Sequence, residues 1–134
     1  MIEKGRKLMS LNEGIARMKE LAKQICDVTA SRITGLDRLR EVNVGLARIK
    51  ADQKGIIAVA VDGAGKPMFS NDAKREAALV ESLCANEIYM KLEQESNDLV
   101  CAAANWQNQI EFLERCYRIE ELAILLQLGM DGKP

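Results

Sequence analysis

The chain has 134 residues, no histidine and a formal net charge of −1. Its length suits one domain, and the missing histidine excludes Ser/His/Asp and Cys/His nucleophilic sites and imidazole metal sites. Aromatic residues make up only 4%, so little material exists for a thick core. The helix-forming composition instead suits thin helices that each bury one stripe.

Charge is divided along the chain. Residues 1–54 carry 12 Lys and Arg against 7 Asp and Glu, whereas residues 71–134 carry 6 against 12. Two arms of opposite sign attract when they lie side by side. A basic arm is also the electrostatic requirement for contact with nucleic acid, although a neighbouring acidic arm weakens that field.

Residues 1–9 read as a flexible, basic lead-in. They are not followed by the apolar core of a signal peptide. Ser10 with Glu13 makes a capping-box pattern. Apolar residues then recur at Leu11, Ile15, Met18, Leu21, Ile25 and Val28, and again at Ile33, Leu36, Leu39, Val42, Leu46 and Ile49. Steps of three and four predict a helical arm over residues 10–54, with a break near Gly35 left open.

Gly55 is a helix-capping residue by type. Ile57, Val59 and Val61 alternate with Ile56, Ala58 and Ala60, and a return segment, Pro67-Met68-Phe69, follows the turn Asp62-Gly63-Ala64-Gly65. This pattern predicts a β-hairpin over residues 55–70, apolar on both faces. Such a hairpin needs cover from its own helices or from other subunits. The turn contains Gly63-Ala64-Gly65-Lys66, but it lacks the length and the Ser/Thr of a phosphate-binding P-loop.

Ser70, Asn71 and Asp72 are good N-caps for a second arm over residues 71–129. Its apolar series is Ala77, Val80, Cys84, Ile88, Leu92, Leu99, Ala102, Trp106, Ile110, Leu113, Tyr117 and Ile124. Gly129 marks the expected end, and residues 130–134 form a tail. Equal arms with a short reversal should lie antiparallel. Pairing Lys54 with Asn71 gives partner numbers that add to about 125, which sets Leu99–Ile110 against Ile15–Cys26.

The expected fold is therefore mainly α. Two long antiparallel helices, a helical hairpin or coiled coil, are joined by a short β-hairpin within one domain. Leu99–Ile110 carries no charge over 12 residues. That stretch reads either as contact on more than one side or as a locally thicker hairpin core. The expected homo-oligomer interface comprises Ile57, Val59, Val61, Met68 and Phe69 at the hairpin, with Leu99, Ala102, Ala103, Trp106 and Ile110 on the second arm. Arg40, Arg48, Lys50, Lys54, Lys66, Lys74 and Arg75 crowd the hairpin end and form the expected surface for an acidic partner or nucleic acid. Few aromatics are available there for base stacking.

Cys26, Cys84, Cys101 and Cys116 have no CxxC spacing. They read as reduced, buried, small apolar side chains of an intracellular protein. No catalytic residue, metal or cofactor is expected. Carboxylate pairs such as Glu93/Glu95, Glu111/Glu114 and Glu120/Glu121 lie where a solvated helix face belongs. No apolar run approaches the ~18 residues of a membrane span, so a cytoplasmic location is expected.

Two resemblances add to this reading. Helix, hairpin, helix resembles the layout of prefoldin β-type subunits, which implies assembly through hairpins and client binding at helical tips. Gly65-Lys66-Pro67-Met68-Phe69-Ser70-Asn71-Asp72-Ala73-Lys74-Arg75-Glu76-Ala77-Ala78, with Ala85-Asn86-Glu87-Ile88-Tyr89 downstream, resembles small uncharacterised coiled-coil proteins of phages and prophages. That likeness implies a DNA recombination or replication accessory or an inhibitor of host defence. The uncharged stretch, the apolar hairpin and the missing catalytic groups favour a non-enzymatic, oligomerising phage or prophage accessory or inhibitor that acts through protein contacts. A DNA recombination or replication accessory and a prefoldin-like holdase are the alternatives.

Overall fold

The computed structural model describes residues 10–131 and is mainly α. Three helices follow in order: α1, Leu11–Val59; α2, Asp72–Ala85; and α3, Glu87–Asp131. The expected lead-in of residues 1–9 and residues 132–134 of the tail lie outside the described residues.

Ser10 starts α1 as the sequence predicts. Its hydroxyl accepts from the Glu13 amide at 3.2 Å, capping the helix, and donates to the Glu13 carboxylate at 3.1 Å. The helix then runs unbroken through Gly35, Gly45 and Gly55. It does so because a strict heptad seam outweighs three weak helix formers. Leu11, Gly14, Met18, Leu21, Ile25, Val28, Arg32, Gly35, Leu39, Val42, Leu46 and Ile49 are all buried or half-buried. Two expected seam members, Ile15 and Ile33, are 40% and 53% exposed, because the strict register gives their places to Gly14 and Arg32.

The β-hairpin does not form. Ile56–Val59 continue α1, and the only pairing left among the described residues is one antiparallel bridge, Val61 with Pro67. The physical reason is local. Gly55 does not terminate the helix, and extending α1 by one turn buries Ile57 at 8% exposure against Leu79 and Leu83. An isolated hairpin offers no comparable burial.

The second arm is two helices rather than one. Asn86 ends α2 with an extended backbone, its amide donating to the Leu83 carbonyl at 3.1 Å. Its side chain then accepts from the Tyr89 amide at 2.9 Å and caps α3. This break changes the phase of the buried face. Leu79 and Leu83 are buried, whereas the expected Val80 and Ile88 are 54% and 66% exposed and Cys84 is exposed. At the other end α3 passes Gly129 and reaches Asp131.

The chain forms two compact units. Of the described residues, one comprises those up to Ile33 with those from Ala103 onward, and the other comprises Thr34–Ala102. In the first unit Gly14 meets Ile124, and Val28 lies with Gln109 along a shared cleft. In the second, Arg38 meets Glu95, Asn43 meets Ser96, and Gly45 meets Leu92. Segments within each unit are therefore antiparallel, but the expected register is corrected. Partner numbers add to 138 for Gly14 and Ile124 and to 137 for Gly45 and Leu92, not 125. The longer α1 moves the reversal toward the C-terminus and slides every pairing with it.

Candidate interaction surfaces

The second unit contains the surface that the sequence singled out. After Val59 the backbone turns on Asp62. The Asp62 carboxylate accepts from the Ala64 amide at 2.8 Å and the Lys66 amide at 3.0 Å, an Asx-type turn. Gly65 sits at φ +80, a conformation that only glycine adopts without strain. The Asp62 amide donates to the Lys66 carbonyl at 2.8 Å, and the Met68 amide to the Ala60 carbonyl at 3.0 Å. The connector is thus short, internally bonded and fixed in shape.

Asn71 then caps α2, its side chain accepting from the Lys74 amide at 2.8 Å. Arg75 closes the turn from the other side. Its guanidinium donates to the Phe69 carbonyl at 3.2 Å and approaches Asp72 at 3.5 Å.

These bonds set an apolar surface around a core of Ile57, Leu79 and Leu83, against which Ile49, Phe69, Ala78 and Tyr89 pack. An open groove of about 650 Å³ runs between α1, the connector and α2, lined by Ile56, Met68, Phe69, Ala77, Ala78 and Ala85 among others. Lys74 and Glu81 stand at the same groove. Beside it Val59 and Val61 are exposed. A smaller cleft of about 310 Å³ involves Lys54, Asp72, Arg75, Glu76 and Leu79.

The expected interface residues therefore divide. Ile57 belongs to the intrachain core, and Phe69 is half-buried against it. Val59, Val61 and Met68 remain exposed. On α3, Leu99 and Ala102 are half-buried in the second unit. Ala103 and Trp106 are half-buried and Ile110 is buried in the first. Their spacing places Leu99, Ala103, Trp106 and Ile110 on the seam stripe, while Val100 and Cys101 point outward.

The expected cations divide as well. Arg75 is committed to the connector, and Arg40 pairs with Asp37 one turn away at 3.2 Å. Arg48, Lys50, Lys54, Lys66 and Lys74 make no ion pair among the described residues. Among the described residues, the one ion pair between distant chain segments is Arg38 with Glu95, bidentate at 2.6 and 2.8 Å. The Arg38 hydrogen bond holds the Glu95 carboxyl below the usual carboxylate range, and Glu95 in turn raises the Arg38 guanidinium. Desolvation, followed by the neighbouring Glu93 carboxylate, pushes the Tyr89 phenol up.

The cysteines differ from expectation. Cys26, Cys84 and Cys101 are exposed and Cys116 is half-buried, because the seam register passes them by. Among the described residues no cluster of His, Cys, Asp and Glu could hold a metal ion, and no helix is long and apolar enough to cross a membrane.

Sequence reading missed Gly14 and Gly45 as contact points. A Cβ on Gly14 would lie 3.1 Å from Ile124 Cγ1, and one on Gly45 would lie 3.3 Å from Leu92 Cδ1. The available signal was the heptad phase, which puts Gly14 seven residues before Leu21. It also missed Arg32 on the seam, whose Nε is buried without a hydrogen-bond partner. No protein-family model, characterised protein or solved structure matches the chain.

Proposed function

We propose that the chain is a non-enzymatic helical interaction protein that associates with itself. The supporting observation is the exposed apolar surface at the connector. Ile56, Val59, Val61 and Met68 are each at least half exposed within a short stretch, beside an open apolar groove. Monomeric proteins rarely leave a larger contiguous apolar patch uncovered than a few hundred Å². The likeness of the segment from Gly65 to Ala78 to small phage and prophage proteins supports an accessory or inhibitor role within that reading.

Cross-linking a mixture of isotopically light and heavy chains tests it. Mixed light–heavy cross-links at micromolar concentration are expected. Their absence, with abundant cross-links inside single chains, would remove the reading.

A second reading, a nucleic-acid accessory, draws on five cations near the connector, Arg48, Lys50, Lys54, Lys66 and Lys74, that make no ion pair among the described residues. It requires binding to DNA that falls steeply with salt. Fluorescence anisotropy with single- and double-stranded DNA at low salt would show no binding if this reading is wrong.

A further inference from the structure

The self-association proposed above has a specific surface, and the inference rests on that reading. At the connector end of the second unit a ridge stands next to a groove. The ridge is Val59, 77% exposed, with Val61, 56% exposed. The groove, about 650 Å³, presents Ile56, Met68 and Ala77 to solvent. We infer that the ridge of one copy seats in the groove of a second copy, and the reverse, about a twofold axis.

Three features carry the choice of a second copy. A ridge and a groove side by side on one chain let two copies offer each other the same patch, as an isologous interface requires. The charges at this end have the same property. Lys66 stands on the connector turn, Glu81 lines the groove together with Lys74, and none of the three makes an ion pair among the described residues. Seating the ridge brings Lys66 of each copy toward Glu81 of the other, so both charges are answered twice by one operation. Finally, the ridge is built in advance. Asp62, Gly65 and the Val61–Pro67 bridge fix the connector, and a β-branched side chain has few rotamers to lose. Docking therefore costs little ordering.

The groove volume falls within the range of sites that admit several side chains. Burial of Val59, Val61, Ile56 and Met68 against each other makes an apolar centre with charged groups at the rim, the usual anatomy of a specific interface.

Sedimentation velocity on the full chain and its variants tests this surface. The wild-type chain is expected to sediment as two chains in the micromolar range. Val59→Lys puts a charge at the centre of the contact while favouring the C-terminal end of α1. It should weaken association about tenfold or more, with helical circular dichroism unchanged. Lys66→Glu and Glu81→Lys should each weaken it several-fold, and the two together should restore it. A wild-type dimer that neither Val59→Lys nor the charge exchange alters would overturn the ridge-and-groove contact and leave self-association standing. A wild-type chain that remains single throughout would overturn both.

Discussion

Three glycines in α1 should respond differently to the same substitution. Replacing a helix-interior glycine by alanine gains about 0.8–1.0 kcal/mol of helix propensity. At Gly55 nothing lies within 4 Å of the added Cβ, so Gly55→Ala should keep the whole gain. For a chain of this size that raises Tm by about 3–5 °C. At Gly45 the Cβ would lie 3.3 Å from Leu92 Cδ1. The tip of a leucine can give by that amount, and Gly45→Ala should come out near neutral. At Gly14 the Cβ would lie 3.1 and 3.2 Å from two atoms of Ile124. A β-branched side chain moves less freely, and overpacking of this kind costs about 1–3 kcal/mol. Gly14→Ala should therefore lower stability by up to about 2 kcal/mol. Thermal and urea unfolding followed by circular dichroism measures all three. Protein concentration must be held constant, because association makes Tm concentration-dependent. A Gly14→Ala chain as stabilised as Gly55→Ala would refute the close approach of Gly14 to Ile124.

Other substitutions probe the core, the seam, the α2 cap and the Arg38–Glu95 pair. Leu79→Ala empties the core it shares with Ile57 and Leu83 and should cost about 2–5 kcal/mol in urea unfolding. Arg32→Leu replaces a seam guanidinium whose Nε has no partner and should stabilise by about 1–3 kcal/mol, read in the same assay. Asn71→Ala removes the side-chain bond to the Lys74 amide and should cost about 1 kcal/mol, with faster hydrogen exchange confined to the start of α2. Glu95 has a depressed pKa through Arg38. Its contribution is complete above the ordinary carboxylate value and is lost as pH falls through the depressed one. Carbon-detected NMR titration should place this carboxyl below the ordinary range, and Arg38→Gln should return it there.

Much of the helical content was legible because it rests on local chemistry. The Ser10 cap, the Asn71 cap and the three–four spacing of Leu21, Ile25, Val28, Leu39 and Val42 all depend on residues one or two turns apart. The connector was misread for a non-local reason. Ile56–Val59 has strand-like composition, yet Ile57 gains a buried site only as helix, and that site is made by Leu79 and Leu83, more than 20 residues away. β-Branched propensity yielded to packing. The register then followed the helix end, so an error of one turn at Val59 displaced every cross-chain pairing. Asn86 carried a visible signal, an Asn three residues before Tyr89, but no glycine or proline marks it. Gly14 and Arg32 were passed over because a search for apolar residues cannot see a glycine or an arginine filling a seam position.

The residues expected at the candidate surface divide by exposure. Ile57, expected at an oligomer interface, is buried in the core, and Arg75, expected to contact an acidic partner or nucleic acid, donates to the Phe69 carbonyl. Val59, Val61, Met68, Lys66 and Lys74 are exposed and available.

The proposed self-association joins this exposed end to a second copy. Light scattering of the purified chain over a dilution series across the micromolar range tests it most directly. The expected mass is that of two chains at the upper end, falling toward one on dilution. A mass of one chain at every concentration would contradict it.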